Sequence, residues 1–360
     1  MECVVANPVE AIVWQPYQME LLDQRRLPLE TVSCSLTDAQ STAQAITDMV
    51  VRGAPAIGIT AAYGMVLAAH QATCSGSDLR PALETARQQL AASRPTAVNL
   101  FWALEKMMEE ADRLMASSAS SVEITEGLER LACAIHEDDI ARNRALGDFG
   151  AGLLASDAHV LTHCNAGALA TGGHGTALGV IRSAVEQGKD IKVWVDETRP
   201  YLQGARLTMY ELMTEGISCQ LISDNMSGFV MAQGRVDAVI VGTDRTVANG
   251  DVANKIGTYT LAVLCARHNI PFYVACPLST LDLSIETGAD IPIEERSADE
   301  LLQMGGTSIA PMGAQGYHPA FDVTPAELVT AIITEAGVAR APYAESLANL
   351  RYEQKSGDEE

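Results

Sequence analysis

The spacing of apolar residues changes character twice along the chain. Residues 11–36 (AIVWQPYQMELLDQRRLPLETVSCSL) mix β-branched and aromatic residues and are broken at 23–26 and at Pro28, a pattern of short antiparallel strands. From Thr37 the apolar period lengthens to that of a helix. Thr37 or Asp38 can cap a helix reaching Val50, and Ala-rich helical stretches follow near 55–72, 78–92, 97–116 and 123–155. The polar run ASSASSV at 116–122 reads as a solvated connector. Beyond about Ala155, strand, turn and helix alternate: AHVLTHC, a helix at 175–187, IKVWVDE, a helix at 203–215, ISCQLIS, a helix at 226–234, VDAVIVGTD, a helix at 256–268, and IPFYVAC. Apolar strands alternating with helices predict an α/β fold: a doubly wound parallel, Rossmann-like sheet in a C-terminal domain, preceded by a mainly helical domain carrying a small antiparallel sheet. The expected boundaries are 1–150 for the helical domain, 151–347 for the α/β domain and 348–360 for a polar acidic tail, read as irregular.

Ligands of doubly wound sheets lie beyond the carboxyl ends of the strands. The residues that close the strands here are Cys164, Asp196 with Glu197, Ser223 with Asp224, Asp244, and Cys276. Cys164 is followed by the Gly-rich NAGALATGGHGTALG, whose backbone amides and helix start would stabilise a thiolate; a small residue closing the strand is an equally good reading. His163 points to the opposite face of an extended strand and is read as structural. Asp244 follows VDAVIVG and reaches the same sheet edge. Desolvation by Val239–Val241 would make it a proton donor near neutrality, against the alternative of a turn cap. Asp251, in an Asn-Gly-Asp turn, is read as a cap.

Charge narrows the partners. The 360 residues carry 24 Lys plus Arg against 46 Asp plus Glu, a formal charge of -22, which opposes nucleic acid and anionic membrane as partners. A small anionic substrate then requires locally concentrated cations. Arg52-Gly53-Ala54-Pro55-Ala56 offers a guanidinium beside the free amides of a helix start, and Arg94 and Lys255 are further cations in loop or helix-start contexts. The eight cysteines show no CxxC and no ligand spacing, so no structural metal is expected. With free thiols, no signal-like leader and no apolar run long enough for a membrane span, a cytoplasmic location is expected. Gly173-His174-Gly175 with Gly179, and Asp196 on the next strand, imitate a dinucleotide fingerprint. An NAD-dependent oxidoreductase is therefore an alternative, although the glycine spacing departs from the motif.

Six strings in order, RGAPAIG at 52–58, RPTAVNLFWAL at 94–104, HCNAGALAT at 163–171, DETRPYLQGARLT at 196–208, GTDR with NGDVANKIGTY at 242–259, and IPIEER at 291–296, resemble the S-methyl-5-thioribose-1-phosphate isomerases. The related ribose-1,5-bisphosphate isomerases and regulatory subunits of a translation-initiation exchange factor share the fold. The resemblance implies conversion of an aldose 1-phosphate to a ketose 1-phosphate in methionine salvage, with Cys164 as the thiol at the reacting carbons and Asp244 as proton donor. It implies substrate contacts from Arg52, Gly53, Ala54, Arg94, Gln203, Asn254 and Lys255, a homodimer, and no metal or organic cofactor. Ala166 and Thr243 stand where the family pattern has Thr and Ala, which bears on substrate preference. The alternatives within the resemblance are an isomerase of ribose 1,5-bisphosphate or 5-deoxyribose 1-phosphate, and a non-catalytic regulatory subunit.

Overall fold

A computed structural model describes residues 9–95 and 97–357. They form two compact units, one of residues 9–142 with 167–175, the other of residues 143–166 with 176–357. Residues 143–150 therefore fall to the α/β unit, while residues 167–175, counted by the sequence pattern with the α/β domain, pack in the helical one.

In the helical unit, β1 (Ile12–Gln15), β2 (Gln18–Leu22) and β3 (Ser33–Leu36) form the expected antiparallel sheet. The helices are α1 (Ala39–Thr47), α2 (Ala54–Ser75), α3 (Leu79–Ser93), α4 (Val98–Ala116) and α5 (Ser121–Ala151), the last running on into the other unit after Arg142. Asp38 caps α1 by accepting from the Ser41 amide, and Asp78 caps α3 through the Arg80 amide. The second helix is apolar on every side and is packed by α1, α3 and α4, as a central helix must be. It begins after Gly53 (φ +95°) with Pro55 in its first turn and ends at the left-handed Gly76. A Cβ at Gly53 would sit 2.3 Å from the Ala170 carbonyl oxygen, so only glycine lets the 167–175 segment lie against the start of α2.

In the α/β unit the main strands are β4 (His159–Thr162), β5 (Lys192–Asp196), β6 (Cys219–Ile222), β7 (Ala238–Val241), and, after β8 (Arg245–Val247) and β9 (Val252–Lys255), β10 (Phe272–Ala275). Further along come β11 (Leu281–Asp282), β12 (Gln303–Met304), β13 (Thr307–Ser308), β14 (Phe321–Thr324), β15 (Ala331–Thr334) and β16 (Gly337–Ala339). The large sheet has the order β16-β15-β10-β7-β4-β5-β6, and only the β15–β16 pair is antiparallel. Alternate residues of a strand enter different cores: Val239 and Val241 pack with Leu161, Phe272 and Val274, whereas Ala238 and Ile240 pack with Val160, Val193 and Ile333. Both faces are thereby buried, which is why these strands read as continuous apolar runs. The helices here are α6 (Ala177–Glu186), α7 (Met209–Thr214), α8 (Ser227–Ala232), α9 (Thr258–His268), α10 (Asp299–Leu302) and α11 (Tyr343–Gly357). The last helix continues through much of the expected irregular tail. No described helix is long and apolar enough to cross a membrane.

A second sheet, β11-β8-β9-β14, was not anticipated. It grows from the Asn249-Gly250 turn, where Gly250 (φ +88°) lets β8 and β9 fold back as a hairpin. Asp251 caps backbone amides, as expected of it, but those of segments distant in sequence rather than of the turn that follows. Its carboxylate accepts from the amides of Gly288 and Ala326 at 2.8 Å each.

Candidate active site

Because β4 and β7 are parallel neighbours, the chain leaves both at the same edge of the large sheet. Cys164 lies two residues beyond β4, half-buried, in the left-handed conformation at φ +66°. Its amide donates to Thr198 Oγ1 at 2.8 Å and its carbonyl accepts from Thr208 Oγ1 at 2.6 Å. Asp244 follows β7 and opens the β8–β9 hairpin, with its amide bonded to the Ala253 carbonyl at 3.0 Å. Its side chain is exposed. The strand residues expected to bury it do not cover it, so Val239–Val241 do not desolvate its carboxyl as expected. The two exits run side by side, and a Cβ on Gly242 would come within 2.7 Å of Ala166 Cβ. Ala166 itself makes this contact, and Thr243 directly follows Gly242.

Three of the expected substrate contacts belong to the same unit. Gln203 is 4% exposed, and its buried Oε1 has no hydrogen-bond partner among the described residues, an acceptor that a ligand hydroxyl would satisfy. Asn254 and Lys255 end β9. Asn254 Nδ2 donates to Thr258 Oγ1 at 3.0 Å. The Lys255 ammonium, on a residue 8% exposed, donates to the Ala320 carbonyl at 3.0 Å and lies 4.4 Å from the centroid of the Phe321 ring, with no described carboxylate paired to it.

Arg52, Gly53, Ala54 and Arg94 belong to the helical unit. Arg52 is buried immediately before Gly53, Ala54 opens α2, and Arg94 is the half-buried residue that closes α3. Arg52 thus directly precedes the start of a long helix, whose first amides lack intrahelical partners.

His163 is structural, and more firmly engaged than its sequence position shows. It is 2% exposed, its Nδ1 lies 3.0 Å from Asp196 Oδ2, and its Nε2 lies 2.9 Å from the Ile256 carbonyl oxygen. A carbonyl only accepts, so Nε2 carries hydrogen. Burial opposes the imidazolium, but the hydrogen bond and charge of Asp196 outweigh it and raise the His163 pKa. Asp224 completes a cluster whose ligand atoms lie within 4.8 Å of one another. Both His163 nitrogens are committed, and the Asp224 oxygens accept from the amides of Thr198 and Arg199, so a metal there would have to displace this network.

The dinucleotide reading does not fit these residues. Asp196 is 1% exposed and its second oxygen accepts from Ser227 Oγ at 2.6 Å, so no ribose hydroxyl can reach it. Gly173, far from cradling a pyrophosphate, is packed on α5, where a Cβ would meet Ile140 Cγ1 at 2.9 Å. Sequence reasoning missed the residues that grip Cys164, namely Thr198 and Thr208. It also missed the buried Asn165, Glu211 and Arg182 behind them, although the first two threonines stand inside the DETRPYLQGARLT string.

Residues 50–341 match the Initiation factor 2 subunit family, which fixes the broad class of the chain. Within it, the methylthioribose-1-phosphate isomerase of Thermosipho africanus is 57% identical over 340 residues, 94% of this chain and 96% of that one. The crystal structure of 5-methylthioribose 1-phosphate isomerase from Pyrococcus horikoshii OT3 superposes with a TM-score of 0.92 at 43% identity, covering 97% of both chains. A structure described as translation initiation factor eIF-2B, subunit delta, from A. fulgidus gives 0.88 at 46% identity, over 95% of this chain and 99% of that one. The chain belongs to the methylthioribose-1-phosphate isomerase family.

Proposed function

We propose that the protein isomerises S-methyl-5-thio-α-D-ribose 1-phosphate to S-methyl-5-thio-D-ribulose 1-phosphate, an aldose–ketose conversion of methionine salvage. Its kinship with the isomerases carries the reaction class. The observation on the chain itself is that a thiol and a carboxyl, Cys164 and Asp244, leave adjacent parallel strands at one sheet edge. A phosphate on the anomeric oxygen prevents opening to a free aldehyde, so the ring oxygen must take a proton as its bond to C1 breaks. Asp244 supplies that proton. Exposed in the free protein, it becomes shielded from water when the sugar covers it. The hydrogen on C2 then moves to C1 and the C2 hydroxyl gives up its proton, which restores the Asp244 carboxylic acid, leaving a ketone at C2 and no net change in oxidation state. Cys164 removes the C2 hydrogen as a proton and returns it through an enol-phosphate, or stabilises a direct hydride shift; deuterium at product C1 after turnover in heavy water would establish an exchanging enol, and its absence would rule out a freely exchanging enol without excluding a shielded one. The substrate contacts are read as Arg52, Gly53, Ala54, Arg94, Gln203, Asn254 and Lys255, with Arg52 at the phosphate. Arginine suits the phosphate because its planar fork grips two oxygens.

The test is turnover of methylthioribose 1-phosphate, ribose 1,5-bisphosphate and 5-deoxyribose 1-phosphate without added NAD. Preference for either of the latter would reassign the substrate. The likeness to a structure described as translation initiation factor eIF-2B, subunit delta, favours one other reading, a non-catalytic subunit, which absence of turnover of all three sugars by the folded protein would revive. Asp244→Asn keeps shape but not the proton, so kcat falls by roughly 10²- to 10⁴-fold at nearly constant KM. Normal turnover in Asp244→Asn and Cys164→Ser would remove both from the chemistry. The protein is further read as a cytoplasmic homodimer, to be checked by sedimentation, and its large sheet as doubly wound and Rossmann-like, supported by the reversal of strand order across β4 and β7.

A further inference from the structure

Cys164 is held in a backbone conformation that residues other than glycine seldom adopt, and it is gripped on both sides of its backbone. At φ +66° its Cβ crowds the following peptide, so the conformation persists only where its surroundings impose it. The imposing groups are two hydroxyls. Thr198 Oγ1 donates its hydrogen to the Asp196 carbonyl at 3.1 Å, which leaves a lone pair to receive the Cys164 amide at 2.8 Å. Thr208 Oγ1 does the reverse, spending its hydrogen on the Cys164 carbonyl at 2.6 Å and accepting from Asn165 Nδ2 at 3.3 Å. Each hydroxyl is thus polarised to serve the side of Cys164 that faces it.

Both threonines are themselves fixed from behind. Thr198 is a β-branched residue at φ +61°, fully buried, with its amide donated to Asp224 Oδ1 at 2.7 Å. Thr208 ends a five-residue π-helical turn, Gly204–Thr208, whose first residue lies so close to β5 that a Cβ there would fall 1.7 Å from the Asp196 carbonyl oxygen. Such turns insert a residue into a helix and re-aim the side chains that follow. The Asn165 amide that reaches Thr208 also donates to Glu211 Oε1 at 2.7 Å, and Glu211 takes Arg182 Nη2 at 2.6 Å on its other oxygen. Arg182 also binds Glu215 through two nitrogens at 2.7 and 2.8 Å. A buried ion-paired framework therefore ends in a hydroxyl on the Cys164 carbonyl.

We propose that Thr198 and Thr208 are positioning residues that clamp the Cys164 peptide and thereby set the direction of its thiol; this rests on Cys164 acting at the reacting carbons. Thr208→Val keeps the shape and buried volume but loses the hydroxyl. Its kcat should fall on the order of 10²-fold, as a small misplacement of a reacting group does, with KM changed by less than about threefold. Thr208→Ser should recover most of the loss. Independently of turnover, the rate of Cys164 alkylation by iodoacetamide should follow a displaced pH curve in Thr208→Val and the wild-type curve in Thr208→Ser, with Cys164→Ser as the blank for other thiols. Thr198→Val and Thr198→Ser repeat the test from the amide side and carry it if Thr208→Val does not fold. Valine variants that fold, turn over and alkylate as wild type does would overturn the clamp. So would variants in which only the folded fraction falls, with each folded molecule behaving normally. If Cys164→Ser itself turns over normally, the catalytic reading fails instead, and the alkylation curves still report whether the threonines hold the thiol.

Discussion

Lys255 illustrates how a single buried charge distinguishes a binding site from a framework. Its ammonium has a carbonyl and an aromatic face for company but no described counter-ion. Burying an uncompensated cation costs several kcal/mol, a cost that a fold does not need to carry and that an anionic or hydroxyl-rich ligand would offset. Lys255→Met should therefore leave the melting temperature unchanged or raised while KM for the sugar phosphate rises on the order of tenfold or more. A fall in melting temperature with normal KM would make Lys255 a framework residue. Arg52→Lys probes the phosphate contact by shape instead of charge. The loss of the two-oxygen grip should raise KM although the charge is kept, and an unchanged KM would exclude Arg52 from the contact. The positions of Cys164, Asp244 and Arg52 were legible in the sequence because they lie just past strand ends or before a helix start, which local pattern reveals. Thr198 and Thr208 were not, because the partner of a hydroxyl depends on which distant peptide the fold brings to it.

Among elements, those whose apolar period is long and regular were legible: the helices of the helical unit and the five principal strands fall within a few residues of their expected places. The hairpin of β8 and β9 was overlooked because its strands are short, although Asn-Gly is a strong hairpin signal. The π turn had no signal beyond Gly204. The grip of α2 and α5 on the 167–175 segment was equally hidden, and it makes a prediction about pH. Asp139 accepts the Gly172 amide at 2.7 Å, and His136 Nε2 donates to the Gly172 carbonyl at 2.7 Å. With its hydrogen on Nε2, His136 presents a bare Nδ1 to the Tyr63 hydroxyl at 3.1 Å. Protonation would put a second donor against that hydroxyl, and burial lowers the His136 pKa from 6.5. The unfolded chain then binds the proton first as pH falls. The stability due to neutral His136 is fully present above the unfolded value of 6.5 and is lost as pH falls through the folded one. Urea melts at about pH 7.5 and about pH 5.5 should show wild type losing more stability on acidification than His136→Gln. Equal losses would mean that the imidazole is not held neutral.

For the molecule as a whole, a formal charge of -22 repels the phosphorylated sugar that the chain is proposed to bind. Two electrostatic effects of opposite sign therefore act on one ligand, and they differ in reach. The global repulsion acts through solvent and is screened once the Debye length shrinks from about 30 Å at 0.01 M salt to about 8 Å at 0.15 M. The proposed attraction is that of Arg52 and Lys255, both buried, where mobile ions penetrate poorly. Added KCl should consequently remove repulsion faster than attraction. The kcat/KM for the sugar phosphate should rise slightly or stay level, within about threefold, across that range of salt. Inorganic phosphate at the same ionic strength should inhibit competitively, because it occupies the cations instead of screening them. A site built from exposed surface cations behaves in the opposite way, losing affinity steeply in KCl as basic nucleic-acid-binding surfaces do. A steep fall with KCl would place the effective cations at the surface and discharge Arg52 and Lys255 from the role, whereas a level KCl response with competitive phosphate inhibition requires cations sheltered from solvent, which these two are.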